Sequence, residues 1–81
     1  MARYVSREHP VSVGALKRRP LGAVVMNHNG SEDTKFTRVH GGWLREREDL
    51  IWDKPELVSS NAVAAECNNT YGCKESWARI Y

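Results

Sequence analysis

Residues 21–26 (LGAVVM), 34–40 (TKFTRVH) and 43–45 (WLR) decide the fold. The first run is apolar and β-branched, the composition that suits a pleated, half-buried surface. Between it and the second lies Asn27-His28-Asn29-Gly30-Ser31-Glu32-Asp33, dense in turn formers, with Asn29-Gly30 suited to the positive φ of a tight reversal. Gly41-Gly42 makes a second reversal into Trp43-Leu44-Arg45. Three antiparallel strands in a meander are the economical reading.

Outward from that meander, Ser12 is a fair N-cap for a short helix through Val13, Ala15 and Leu16, which Gly14 weakens and Pro20 bounds. Pro10 pushes His9 towards an extended conformation, so residues 1–11 read as an N-terminal arm and residues 12–81 as one domain. Residues 46–58 read as a surface excursion interrupted by Pro55 and anchored by Ile51 and Trp52. Ser59 or Ser60 caps a second helix, on which Val63, Ala64 and Cys67 share a face, and Asn68-Asn69-Thr70-Tyr71-Gly72 ends it. Residues 76–81 (SWARIY) alternate as a last strand, with Trp43 and Trp77 expected in the core. The expected fold is α+β: a small antiparallel sheet, made of a three-stranded meander and a C-terminal strand, with one or two short helices.

Eighty-one residues allow one domain. Apolar burial and conformational entropy are each on the order of 120 kcal/mol for a chain this long, so a partner, a second copy or a disulfide would add useful stability. No run reaches the eighteen apolar residues of a membrane span, and the first residues lack the apolar stretch of a secretory signal. The cytoplasm is therefore the expected compartment. The net charge of +2 is small, but its distribution is uneven. Residues 1–19 carry Arg3, Arg7, Lys17, Arg18 and Arg19 against Glu8, whereas residues 32–56 carry seven acidic and five basic groups.

Leu16, the run Arg19-Pro20-Leu21-Gly22-Ala23-Val24-Val25, the turn glycine, Phe36-Thr37-Arg38-Val39 and Gly41-Gly42-Trp43 together form a pattern. It resembles small uncharacterised proteins of actinobacteria and their phages, which run leucine–proline–x–glycine–x–valine–valine, a polar turn, an aromatic strand and glycine–tryptophan. Residues 12–45 carry the resemblance and residues 59–81 extend it, with Pro20 and Leu21 in exchanged order and an insertion after Arg45. The resemblance implies the fold and a phage-like origin, hence the host cytoplasm as location. It brings no activity or site residue with it.

No catalytic centre is legible. Serines, His40 and several acids are present, but no local signature orients a nucleophile against a base. Cys67 and Cys73 are too widely spaced for a zinc knuckle, and no two histidines sit at ligand spacing. Cys67 reads as a small buried hydrophobe, although the loop between the cysteines is short enough for a disulfide. No enzyme, metal or cofactor is expected. Asn29-Gly30-Ser31 and Asn68-Asn69-Thr70 match the glycosylation pattern but read as turns.

The leading expectation is a non-enzymatic binding protein, a phage-encoded modulator of a host protein, with Trp52, Ile51, Arg47 and Lys54 as the contact residues. A tryptophan beside basic residues has the composition of an interface anchor. The alternative is nucleic-acid binding by Arg7, Lys17, Arg18 and Arg19, helped by Arg3 and by exposed aromatics such as Tyr4, Trp52 or Tyr71. A structural or virion subunit, and hence a homo-oligomer, is the third reading.

Overall fold

The computed structural model describes residues 3–29, 32–47, 54–69 and 76–81. The fold is α+β: the described residues form a six-stranded antiparallel sheet and two helices. In chain order the elements are β1 (Arg3–Val5), α1 (Val13–Lys17), β2 (Val24–Asn29), β3 (Glu32–Val39), β4 (Gly42–Arg47), β5 (Glu56–Val58), α2 (Ser60–Asn69) and β6 (Ser76–Ile80). The spatial order is β1-β6-β2-β3-β4-β5, so the last strand returns to lie between the first two.

The meander exists, but its boundaries move. β2 begins at Val24 rather than Leu21 because residues 21–23 turn: Gly22 adopts φ 88°, and Ala23 N–H donates to the Pro20 carbonyl at 3.1 Å. The polar run after Met26 is strand as far as Asn29, and β3 restarts at Glu32. Polarity there marks a partly solvated pair of strands, not a long turn. The second reversal sits at His40-Gly41, with the positive φ of 83° at Gly41, while Gly42 already pairs with Val39.

Two strands extend the four expected from sequence. Residues 3–5, at the start of the N-terminal arm, pair with β6, and Glu56–Val58 pairs with β4 in place of a free excursion. Both are edge strands of three residues. Gly42 makes the second pairing feasible, since a Cβ there would lie 2.4 Å from the Val58 carbonyl oxygen.

Cross-strand partners share a face, so the register assigns every side chain. One row runs Ile80–Val25–Phe36, another Val5–Ala78–Asn27–Thr34, and Trp43 stands on the same face as both. These residues are buried under the helices, which contribute Leu16, Val63, Ala64 and Cys67, with Val11 from the segment before α1. Trp43 is fully buried and donates its indole N–H to Ser60 Oγ at 3.1 Å, which removes the desolvation penalty of the N–H.

The helix starts follow side-chain capping. Ser12 Oγ accepts from Ala15 N–H at 3.1 Å, and Ser59 Oγ accepts from Ala62 N–H at 3.2 Å. α2 runs on through Asn68 and Asn69 rather than stopping before them. Asn68 clamps the segment before α1, its Oδ1 accepting from Val11 N–H at 3.0 Å and its Nδ2 donating to the Val11 carbonyl at 2.9 Å. Among the described residues, no helix is long and apolar enough to cross a membrane.

Candidate functional site

β6 alternates, and the alternation divides its residues between two environments. Ala78 and Ile80 enter the core, so Trp77 and Arg79 stand on the opposite face, where no described helix packs. Tyr81 prolongs that face, its N–H donating to the Val24 carbonyl at 3.0 Å. The expectation that Trp77 belongs to the core is therefore corrected; it is 36% exposed. Tyr4, across from Arg79 on β1, joins the same surface, and so does His28, across from Trp77 on β2.

These side chains form a continuous stacked surface. The Arg79 guanidinium lies 5.0 Å from the Tyr4 ring centroid and 4.9 Å from that of Tyr81, within cation–π range of both. The His28 ring stacks on Trp77 at 5.5 Å and 20°, and Tyr4 meets Trp77 edge-on at 6.2 Å. Asp33, opposite His28 on β3, pairs with His28 Nδ1 and fixes that ring. Each ring is held by its neighbours while one side stays open to solvent: Tyr4 and Tyr81 are 57% and 45% exposed. Further along the same face lie Met26 and Val24 on β2, and then Leu44 and Leu57 on β4 and β5.

Charge is segregated along the sheet. β1, α1, the turn after α1 and β6 carry Arg3, Lys17, Arg18, Arg19 and Arg79, and no acidic residue. At the far edge, Arg45 is neutralised by Glu66 at 2.7 Å and Glu56 at 3.8 Å, with Glu46 nearby on β4. On the basic side, Arg19 donates through Nη2 to the main-chain oxygen of Tyr81, which joins the turn after α1 to the aromatic surface. Arg38 is occupied in bracing the fold: Nη1 donates to the Gly42 and Val39 carbonyls at 2.8 and 3.1 Å, and Nη2 to the Lys17 carbonyl at 3.4 Å. The Nε atoms of Arg19, Arg38, Arg45 and Arg79 are buried without a hydrogen-bond partner.

Of the residues singled out for nucleic acid, Arg18 and Arg19 come together beside Arg3 around a cavity, and Lys17 adjoins them at the end of α1. Arg7 does not join them. It follows β1 beyond Val5, whereas the cavity is at the Arg3–Ile80 end. Of the residues singled out for a protein partner, Arg47 and Lys54 line a shallow depression of about 230 Å³ with Arg45 and Glu56. Ile51 and Trp52 lie outside the described residues, as do Tyr71 and Cys73. Sequence reasoning misses Trp77, Arg79 and Tyr81 as surface residues. The signal for them is the period of two in residues 76–81, with the smaller Ala78 in phase with Ile80.

Among the described residues, no three metal-ligating side chains converge. Comparison with protein-family models, curated proteins and solved structures finds no match to this chain.

Proposed function

We propose that this chain is a non-catalytic binding domain for single-stranded nucleic acid, and that its working surface is the open face of β1 and β6. The observation that carries this reading is the coincidence of two features on one edge. The exposed rings Tyr4, Trp77 and Tyr81 lie beside Arg79, and β1, α1, the turn after it and β6 together hold five basic residues, Arg79 included, while the one acid paired into the surface, Asp33, is bound to His28. Single strands are held by rings that stack on unpaired bases and by cations that follow the phosphates. Rings already fixed by their neighbours lose little side-chain freedom on binding.

A duplex fits less well. Groove readers insert a helix or ribbon bearing basic and amide side chains. Here α1 is five residues long, and α2 (SNAVAAECNN) carries no basic residue and turns Val63, Ala64 and Cys67 into the core. The protein-partner reading rests on Ile51 and Trp52, outside the described residues, and nothing else described in the β4–β5 half shows comparable ring clustering.

The test is fluorescence anisotropy of a labelled oligothymidine titrated with the protein over a range of salt. Three to five phosphate contacts give a log–log salt slope of roughly −2 to −3.5. Trp77→Ala removes one stacking ring, and the expected loss of affinity is roughly 5- to 150-fold with the circular dichroism unchanged. Absence of binding at low salt overturns the proposal. So does sedimentation as an oligomer that Trp77→Ala dissociates, which would make the face a contact between copies.

A further inference from the structure

On the helix side of the same edge lies a cavity of about 410 Å³ that opens to solvent. Its rim carries Arg3 from β1 with Arg18 and Arg19 from the segment after α1, and its lining includes no acidic side chain. Behind the rim the wall is fixed but offers little open surface: Val11 and Leu16 are core residues, 2% and 0% exposed, and Ile80 packs beside them.

Building on the single-strand reading, we infer that this cavity seats a phosphate monoester carried on a nucleoside: the phosphorylated end of a strand. Size argues for more than a bare anion. A water takes about 30 Å³ of liquid, so a phosphate alone would leave most of the cavity filled with water. The volume falls near the low end of the roughly 300–1,000 Å³ range of small-molecule sites. The rim argues for a monoester over an internal diester. A monoester brings a charge of about −1.5 to −2 and three terminal oxygens, a better match to a lining with three arginines than the single charge of a diester.

The arginines are placed for such a ligand. Arg19 commits Nη2 to Tyr81, which anchors its guanidinium, and its Nε is buried, so contact with a ligand falls to the Nη groups. Arg18 Nη1 lies 3.4 Å from where a Cβ on Gly14 would stand, so its side chain lies back along α1. The bond between Arg19 and Tyr81 also places the rim next to the main chain of the residue whose ring ends the aromatic surface. A strand stacked on Tyr4 and Tyr81 reaches the cavity with its terminus by passing over the edge of β1.

The experiment compares three oligothymidines of one length, ended by hydroxyls, by a 5′-phosphate or by a 3′-phosphate, with thymidine monophosphate and inorganic phosphate as competitors. One phosphorylated end is expected to bind at least about tenfold more tightly than hydroxyl ends, a difference of about 1.4 kcal/mol. Thymidine monophosphate should compete for that increment, and inorganic phosphate at equal concentration should not. In Arg18→Ala and Arg18→Lys the ratio between phosphorylated and hydroxyl ends should fall towards one, because a lysine keeps the charge but not the planar fork. Equal binding of all three oligonucleotides overturns the inference. If they still bind and Trp77→Ala still weakens them, the single-strand reading survives alone. Binding of thymidine monophosphate that Arg18→Ala abolishes, with no oligonucleotide bound, upholds the cavity as a nucleotide site and overturns the strand reading. Equal competition by inorganic phosphate overturns the requirement for a nucleoside body.

Discussion

Replacing Asn68 by Ala should destabilise the protein far more than a polar residue near a helix end ordinarily would. Asn68 spends both halves of its amide on Val11, fifty-seven residues away, accepting from the N–H at 3.0 Å and donating to the carbonyl at 2.9 Å. Val11 itself is 2% exposed, so water is poorly placed to replace either bond. Each lost bond costs about 1 kcal/mol net, and each backbone group left unpaired adds to that, giving roughly 2–4 kcal/mol in total. Against this, alanine gains a few tenths of a kcal/mol in helix propensity over asparagine. Asn69 is the internal control, being exposed on the same helix and subject to the same propensity gain. Urea unfolding followed by circular dichroism should therefore show Asn68→Ala roughly 2–4 kcal/mol less stable than Asn69→Ala. Asn68→Asp should be no better, because it turns a carboxylate oxygen towards the Val11 carbonyl. If Asn68→Ala and Asn69→Ala unfold within about 0.5 kcal/mol of one another, the clamp contributes nothing and the reasoning fails.

Other consequences follow from the same packing. Gly42→Ala drives a Cβ to 2.4 Å from the Val58 carbonyl oxygen, so β5 should separate from β4, seen as loss of the Trp43–Val58 and Leu44–Leu57 cross-strand NMR contacts with the rest of the sheet retained. Ser60→Ala leaves the buried Trp43 N–H without its acceptor and should cost about 1–3 kcal/mol in urea unfolding. Burial, reinforced by Glu66, pushes the Cys67 thiol from its ordinary 9.0 up to about 12. The folded state therefore keeps the proton where the unfolded chain has lost it. Cys67-dependent stability should be flat below pH 9 and fall by up to roughly 1.4 kcal/mol per pH unit towards pH 12, a loss absent from Cys67→Ala.

The parts of the fold readable in sequence are those with local causes. Ser12 and Ser59 cap helices through their own hydroxyls, and Val63, Ala64 and Cys67 face inward because helical spacing puts them together. β1 and β5 are three residues each, too short to show a period, and exist through partners distant in sequence. β2 is displaced from the apolar run because Gly22 turns the chain and because Asn27, a polar residue, occupies the core face between Thr34 and Ala78. β6 is legible as a strand but its faces are not. With apolar residues on both, the bulk of Trp77 suggests the core, whereas helix packing favours the smaller Ala78.

The candidate surface shows the same division. Lys17, Arg18 and Arg19 stand out as a basic run in the sequence, and Tyr4 as an aromatic able to stack. That Arg3 meets Arg18 and Arg19, and that Arg79 lies between Tyr4 and Tyr81, depends on β1 pairing with β6 across more than seventy residues. No local pattern encodes that contact.

Backbone amide shifts recorded by NMR during titration with a short single strand would locate the contact directly. The shifts should concentrate at residues 3–5, 17–19 and 76–81 and be reversed by salt. Shifts confined to β4, β5 and α2, or none with excess strand at low salt, would contradict a nucleic-acid surface on β1 and β6.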